Sequence, residues 1–303
     1  MERTDKMKIY EVELAFANAC TADCYICSKK RGCNNDVFMS PDVFNKAVSE
    51  LKKIDFEIMQ TGGNGDSFLH LNFLDCLRVI RKEFPRVKVS LYSNFFLLFP
   101  HVADILIGEN LIDLLSTRID SVIADIFTAA TGLDTSVFDN IDYFLSKNKK
   151  INFSINYSNI QRYRDNCRKI LNKEPYYWNE VLDTAPDDEF ENVKSRFWNG
   201  KVKFNDIKRT FWAERNDPNI KPNPSAQCDR NYCFQNVLYI WPNGDVGVCG
   251  YDDEQSELIV GSVMNQNIEE IWNSQRRKNT IDDILNRRIT GYPCIDPTMC
   301  KFW

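Results

Sequence analysis

Short apolar and β-branched runs alternate with amphipathic segments along the first half of the chain. The runs are typical of buried parallel strands and predict strands at Ile9–Phe16, Phe56–Thr61, Val87–Ser93, Ser121–Ile126 and Ile151–Tyr157. Apolar residues at helical spacing predict helices from Pro41 to Ile54, capped by Ser40, and at about Phe68–Phe84, Val102–Leu115 and Val137–Leu145. The alternation predicts an α/β fold with a parallel sheet, either open or barrel-like.

The second half of the chain is less regular. A charged helical segment, Trp178–Phe197, and a further strand, Val202–Phe204, precede a linker rich in proline and asparagine. Beyond the linker, Val237–Trp241 and Val246–Val248 flank a Pro-Asn-Gly-Asp turn and predict a β-hairpin. Helices are predicted at Ile268–Ser274 and Thr280–Asn286. We therefore expect two domains, residues 1–220 and 221–303.

Composition and charge exclude some classes of function for this protein. The chain has 303 residues, 43% hydrophobic and 27% charged, with a net charge of -5. An acidic balance argues against broad nucleic-acid binding, which requires a basic surface. No apolar run approaches the roughly 20 residues of a membrane span, and the charged N-terminal segment does not resemble a signal peptide. We expect a cytoplasmic protein with no membrane partner.

Three of the 11 cysteines follow the first predicted strand with the spacing C-x3-C-x2-C: Cys20, Cys24 and Cys27. Such a loop can present three thiolates to three irons of a cubane cluster and leave the fourth iron open to a substrate or cofactor. The alternative is a structural zinc site, which requires a fourth ligand. Only Cys33 is close enough in sequence to supply it. Ligand chemistry favours the iron–sulfur cluster.

Polar and glycine-rich segments follow the next two predicted strands. Strand two runs into Gly62-Gly63-Asn64-Gly65-Asp66, and strand three runs into Ser93-Asn94. Ligand sites in parallel α/β folds lie at the carboxyl ends of the strands. A glycine-rich stretch alone is often only a turn, but motifs at three successive strand ends indicate a shared site.

These motifs resemble those of the radical S-adenosylmethionine (radical SAM) enzymes over about residues 8–160. Cys20, Cys24 and Cys27 match the cluster motif, and the glycine-rich text resembles the segment that holds the methionine amino group. The resemblance implies a partial (β/α)6 barrel, a [4Fe-4S] cluster and S-adenosylmethionine. The implied cofactor contacts are Gly62, Gly63, Asn64, Asp66, Ser93, Asn94, Arg118 and Asn156, with Tyr25 and Ile26 near adenine. For Arg118, a surface salt bridge is the alternative.

Three positions depart from the family pattern. Ile26 stands where an aromatic residue is common before the third cysteine, and Tyr25 precedes it. Asp66 replaces the usual glutamate, and Phe95 stands where glycine often follows the asparagine. None of these departures removes a cluster ligand.

A second group of cysteines lies near the C-terminus: Cys228, Cys233, Cys249, Cys294 and Cys300. Four thiolates satisfy either a closed iron–sulfur cluster or a structural zinc ion, and the residues alone leave both open. The text CFQNVLYIWPNGDVGVC, followed by IEEIWNS, resembles the SPASM extension of radical SAM enzymes or its shortened twitch form.

The SPASM resemblance implies a small α+β domain with one auxiliary [4Fe-4S] cluster. The implied ligands are Cys233, Cys249, Cys294 and Cys300, and the competing set contains Cys228 in place of Cys294. The cysteine left over is either structural or a hydrogen-atom donor, and Cys228 is the candidate donor.

The resemblance also implies a reaction class. A 5′-deoxyadenosyl radical is expected to abstract hydrogen from a carbon of a sugar-like or aminocyclitol-like natural-product intermediate, leading to dehydrogenation or epimerisation. The first alternative is a maturase that epimerises or cross-links a ribosomal peptide. The second is a non-catalytic iron–sulfur or zinc protein. The expected partners are a small-molecule or peptide substrate and an electron donor of the flavodoxin or ferredoxin type.

Overall fold

The computed structural model describes residues 9–27, 36–63, 65–207, 236–250, 258–286 and 288. The strands of this part of the chain form a single nine-stranded sheet. They are β1 Glu11–Leu14, β2 Ile58–Thr61, β3 Lys88–Tyr92, β4 Leu114–Arg118, β5 Asn152–Tyr157, β6 Lys203–Asp206, β7 Val237–Ile240, β8 Asp245–Gly247 and β9 Ile259–Ser262.

The strand order is β6-β5-β4-β3-β2-β1-β7-β8-β9. Strands β1 to β6 pair in parallel in their order along the chain, and helices connect them. This is the predicted α/β fold with a partial (β/α)6 barrel. Strand β7 pairs in parallel with β1, while β8 and β9 continue in antiparallel fashion. The predicted hairpin is confirmed, and it extends the main sheet.

The described helices are α1 Pro41–Leu51, α2 Phe73–Glu83, α3 Pro100–Gly108, α4 Ala124–Thr131, α5 Ser136–Lys147, α6 Ile160–Asn166, α7 Glu189–Phe197, α8 Ile268–Asn273 and α9 Gln275–Leu285. Helix α1 begins as predicted, because the Ser40 hydroxyl accepts a hydrogen bond from the Val43 backbone N–H at 3.3 Å. None of them is long and apolar enough to cross a membrane.

The two faces of the sheet differ in polarity. On β1, Val12 and Leu14 are fully buried in the main core, and Glu11 and Glu13 on the opposite face are half-buried. The same alternation recurs along β2 to β5. The half-buried polar side chains on the opposite face of β1 to β5 define what we call the polar face, made of Glu11, Glu13, Gln60, Ser90, Tyr92, Ser116, Arg118, Ser154 and Asn156.

The prediction of a strand at Ser121–Ile126 was wrong. The fourth strand is β4, Leu114–Arg118, and α4 begins at Ala124. Strand β4 buries Leu115 and Thr117 but carries Ser116 and Arg118 on the polar face. Its sequence therefore lacks a continuous apolar run. The apolar residues near 126 instead belong to the buried side of α4, where Ile126 and Phe127 pack.

The predicted helix Val102–Leu115 merged two elements. Helix α3 ends at Gly108, and Asn110 takes a left-handed conformation with φ 54°. Leu111 and Ile112 are then buried in the connection to β4, which continues the apolar pattern without continuing the helix. The predicted helical segment Trp178–Phe197 is divided into a 3-10 helix, Glu180–Thr184, and helix α7, Glu189–Phe197. The remaining predicted strands and helices are present, with shifted ends.

Phe95 occupies a backbone conformation that glycine adopts more easily. Its φ is 66°, and its ring is fully buried against Phe144 and Phe153, with ring centroids 5.8 and 5.3 Å away. The Ser93 hydroxyl accepts from the Phe95 N–H at 3.0 Å, and the Asn140 amide donates to the Phe95 carbonyl at 2.9 Å. These bonds and the ring packing hold the strained backbone.

We expect Phe95→Ala to destabilise the protein by about 3–5 kcal/mol, because it empties a packed aromatic site. Phe95→Gly removes one carbon more but relieves about 1–2 kcal/mol of left-handed strain, so it should be no less stable than Phe95→Ala. Anaerobic urea unfolding of the two variants measures the difference. A Phe95→Gly protein clearly less stable than Phe95→Ala would contradict strain at this position.

Candidate functional site

The three N-terminal cysteines lie in the loop between β1 and α1. Cys20, Cys24 and Cys27 are half-buried and form no disulfide. The loop is tied to the C-terminal end of α4, because the N–H groups of residues 23 and 25 donate to the carbonyls of residues 131 and 130 at 2.7 and 2.9 Å. The fold thus holds three thiols in one short, fixed segment.

The side chains next to the cysteines point into a second small core. Tyr25 and Ile26 are each 1% exposed and pack with residues of α4 and α6. The Tyr25 ring meets the Tyr163 ring edge-on at a centroid distance of 5.1 Å. These two side chains therefore anchor the loop. A contact with adenine through their backbone stays a prediction.

The loop thiols do not form a site for a single metal ion. Among the described residues, no three histidine, cysteine, aspartate or glutamate side chains could hold a single metal ion. Burial raises the pKa of the Cys20 thiol, and the nearby Asp66 carboxylate raises it further. A cationic centre beside the sulfur would reverse that preference. Three thiols in one fixed loop fit a cluster whose irons bind one cysteine each.

The glycine-rich segment after β2 lies against β3 and the cysteine loop. Gly62 has φ 83°, and a Cβ added there would lie 2.3 Å from the Tyr92 carbonyl oxygen. A Cβ at Gly65, with φ 152°, would lie 2.6 Å from the carbonyl oxygens of both Ala17 and Ala19. At Gly63 the φ is 121°, but the nearest atom to an added Cβ is 3.5 Å away. Glycine is thus required by close approach at two positions and by conformation at all three.

Asp66 ties the ends of β2 and β3 together. It is 1% exposed, and its Oδ1 accepts from the Phe68 N–H at 3.1 Å. Its Oδ2 accepts from the Ser93 hydroxyl at 2.9 Å and the Asn94 N–H at 3.1 Å. Burial raises the pKa of this carboxyl, and the three hydrogen bonds oppose that rise. These contacts give Asp66 a structural function. Binding of the methionine amino group by Asp66 stays a prediction.

Asn94 completes the junction by reaching the cysteine loop. Its amide nitrogen donates to the Thr21 hydroxyl at 2.9 Å and lies 3.6 Å from the Cys20 sulfur. The backbone N–H of Asp66 donates to the carbonyl of Ala19 in the same loop at 2.8 Å. The predicted motifs after β1, β2 and β3 are therefore brought together in one hydrogen-bonded network.

Arg118 and Asn156 lie opposite each other in the β4–β5 ladder. The Arg118 guanidinium pairs with Asp120, with Nη2 2.6 Å from Oδ2, and lies 5.5 Å from the Tyr25 ring centroid. Burial lowers the pKa of Arg118, but Asp120 and nearby groups raise it by more, so the side chain keeps its charge. The Asn156 Oδ1 accepts from the Asn205 amide at 2.9 Å. The salt bridge expected as the alternative for Arg118 is present, but it is buried.

Comparison with known proteins identifies the C-terminal segment and the fold. Residues 228–300 match the family model of SPASM, an iron–sulfur cluster-binding domain. BtrN in complex with AdoMet and 2-DOIA superposes with a TM-score of 0.54 at 14% identity, covering 95% of this chain and 92% of BtrN. Native anSMEcpe with bound AdoMet gives 0.61 at 13% identity, with 96% and 93% covered.

A third similar structure is Streptococcus suis SuiB bound to precursor peptide SuiA. Its TM-score is 0.60 at 12% identity, covering 91% of this chain and 67% of SuiB. No curated protein sequence matches the chain. The chain has a radical SAM fold with a C-terminal SPASM domain.

The SPASM segment, residues 228–300, is described only in part. Cys249 is half-buried just beyond β8. A Cβ added at the next residue, Gly250, would lie 2.3 Å from the Tyr239 ring and 2.8 Å from Glu13 Oε2. Cys249 therefore lies beside β1 and β7 of the nine-stranded sheet. The other predicted ligands, Cys228, Cys233, Cys294 and Cys300, are outside the described residues, as are Asn64 and Cys33.

The structure adds two residues that the sequence analysis missed. Thr21 accepts a hydrogen bond from Asn94 within the cysteine loop. Asp120 pairs with Arg118 and accepts from the Ser158 N–H at 2.9 Å. Asp120 follows β4, so a correct position for that strand would have placed it at a strand end with the other candidates.

Proposed function

We propose that the protein is a radical SAM enzyme. The observation that carries the proposal is the hydrogen-bonded junction of Cys20, the Gly62–Asp66 segment and Asn94 at three adjacent strand ends. Cys20, Cys24 and Cys27 would hold a [4Fe-4S] cluster, and the glycine backbone beside them would hold the methionine end of S-adenosylmethionine. When bound, the two supply a 5′-deoxyadenosyl radical that abstracts hydrogen from a substrate carbon.

The AdoMet named in the BtrN and anSMEcpe structures supports this cofactor. In the chain itself, Gly63 has a left-handed backbone. No backbone atom lies within 4 Å of a Cβ added there, so the space beside this residue is free of main chain. The charged Arg118 at the end of β4 is suited to orient the methionine carboxylate, and Asn156 is suited to a ribose hydroxyl.

For the substrate, we propose a sugar or aminocyclitol-like molecule that is dehydrogenated or epimerised. The polar face offers hydroxyl, amide and carboxylate groups, including Ser116 and Ser154, whose hydroxyls lie 2.8 Å apart. The Glu13 carboxylate lies close to both Gly63 and Gly250. A Cβ added at Gly63 would lie 3.5 Å from Glu13 Oε1, and a Cβ added at Gly250 would lie 2.8 Å from Glu13 Oε2. A substrate held between Cys249 and the N-terminal cysteines would meet these groups. Such a lining is suited to a small molecule rich in hydroxyl and amino groups.

The second candidate is a maturase of a ribosomal peptide. The SuiB structure contains the precursor peptide SuiA, and anSMEcpe is also described with bound peptides. SuiB is the longer protein, with 67% of its length covered. In both candidate functions the SPASM segment would carry one auxiliary [4Fe-4S] cluster, and a flavodoxin or ferredoxin would supply the electron.

Reductive cleavage of S-adenosylmethionine tests the proposal. We expect anaerobically reconstituted and reduced protein to release 5′-deoxyadenosine and methionine, and Cys24→Ala to release neither. Cys76→Ala is the matched control, because Cys76 is buried in α2, outside the cysteine loop. Deuterated aminocyclitols and deuterated peptides then show which substrate passes deuterium to 5′-deoxyadenosine. A wild-type protein with its full iron content and no cleavage would disprove the radical SAM activity.

A further inference from the structure

The Asn94 side chain has a fixed orientation in which its amide nitrogen faces the cysteine loop. Its Oδ1 accepts from the Phe96 N–H at 2.9 Å, and only an oxygen can serve there. The nitrogen is therefore the atom near Thr21 Oγ1 and Cys20 Sγ, at 2.9 and 3.6 Å. A distance of 3.6 Å is suitable for a hydrogen bond to sulfur, whose radius exceeds that of oxygen.

The backbone beneath Asn94 is equally constrained. Its N–H donates to the buried Asp66 Oδ2, which also accepts from the neighbouring Ser93 hydroxyl. Cys20 receives a further donor from the Ala22 N–H, 3.4 Å from its sulfur. Asn94 is thus preorganised by groups that follow β2 and β3 to donate to one particular cysteine sulfur.

We propose that Asn94 is a positioning residue that donates a hydrogen bond to the Cys20 thiolate and raises the reduction potential of the N-terminal cluster. The inference rests on the proposed function, because it requires a cluster on Cys20. One-electron reduction adds negative charge to the cluster and its sulfurs. A fixed N–H donor stabilises that charge more in the reduced form than in the oxidised form.

This role differs from the one that the family resemblance implies for Asn94. Both hydrogen-bonding groups of its side chain already have partners, Phe96 on one side and the cysteine loop on the other. Asn94 therefore acts on the cofactor through Cys20 and the loop.

A redox titration followed by electron paramagnetic resonance tests the inference without any substrate. The reconstituted chain is reduced stepwise with dithionite in the absence of S-adenosylmethionine. The spectrum of the Cys20/Cys24/Cys27→Ala protein identifies the signal that belongs to any other cluster. We expect Asn94→Ala to lower the ratio of reduced to oxidised N-terminal cluster about tenfold at the wild-type midpoint, as loss of a charge-assisted hydrogen bond predicts.

Two further variants separate the bond to sulfur from the anchoring of the loop. Thr21→Val removes the other acceptor of the same amide and should leave the ratio unchanged. Asn94→Ser keeps a side-chain acceptor for the Phe96 N–H but is too short to reach the sulfur, so it should shift the ratio as Asn94→Ala does. It replaces Asn94→Ala if that protein does not hold iron.

Equal ratios in wild type and the Asn94 variants would overturn the inference, and so would an equal shift in Thr21→Val. Neither result affects the proposed function, which depends on cleavage of S-adenosylmethionine. Conversely, a midpoint shift confined to the Asn94 variants supports the inference even where no substrate has been found.

Discussion

Replacing Cys20, Cys24 and Cys27 together by alanine is expected to lower the iron content of reconstituted protein from about eight to about four per chain. The three thiols lie in one loop tied to the end of α4, and no other described cysteine lies in that loop. Loss of the loop thiols should therefore empty one cluster completely. The iron that remains would belong to the SPASM segment, which matches an iron–sulfur cluster-binding family.

Anaerobic iron and sulfide analysis of wild type, the triple variant and Cys76→Ala measures this result. Cys76→Ala should keep the wild-type content, because it removes a buried thiol without touching the loop. A fall from about four irons to none, with zinc present, would mean that the C-terminal cysteines hold a structural zinc ion. That result would exclude oxidation through an auxiliary cluster and favour redox-neutral chemistry such as epimerisation.

The sequence predicted the strands that show a recognisable apolar or β-branched run. Strands β1, β2 and β3 were predicted in this way, and the cysteines, the glycines and Ser93-Asn94 come after them. Strand β4 was missed because its polar face carries Ser116 and Arg118, and these break the apolar run. A strand that lines a polar site contradicts the hydrophobic pattern at the positions where function requires polar groups.

The hydrogen bonds of the site could not be predicted from spacing. Asp66 and Ser93 are 27 residues apart, and Asn94 and Cys20 are 74 apart. The resemblance assigned these residues to the cofactor, whereas in the fold Asp66 and Asn94 bind one another and the loop. The direction in which a side chain points at a strand end depends on the backbone conformation of that end, and the positive φ of Phe95 and Gly62 is not visible in the pattern.

A large loss of stability is expected from Gly62→Ala. The new methyl group would lie 2.3 Å from the carbonyl oxygen of Tyr92, a residue that pairs with Ser116 in the β3–β4 ladder. The backbone at Gly62 also has φ 83°, which costs an alanine about 1–2 kcal/mol. We expect a total destabilisation of about 3 kcal/mol or more, together with loss of iron, because the end of β3 carries Asn94.

Substitutions at two other glycines separate the cost of backbone strain from the cost of the close contact. Gly200 has φ 82° with nothing within 4 Å of an added Cβ, so Gly200→Ala carries the strain alone and should cost about 1–2 kcal/mol. Gly108 ends helix α3 with open space around it, and Gly108→Ala should be neutral or stabilise by up to about 1 kcal/mol. Anaerobic chemical unfolding of the three variants measures the loss of unfolding free energy that each substitution causes. If Gly62→Ala cost no more than Gly200→Ala, the close contact between the glycine segment and β3 would be wrong, and the junction of the three strand ends would be looser than the structure describes.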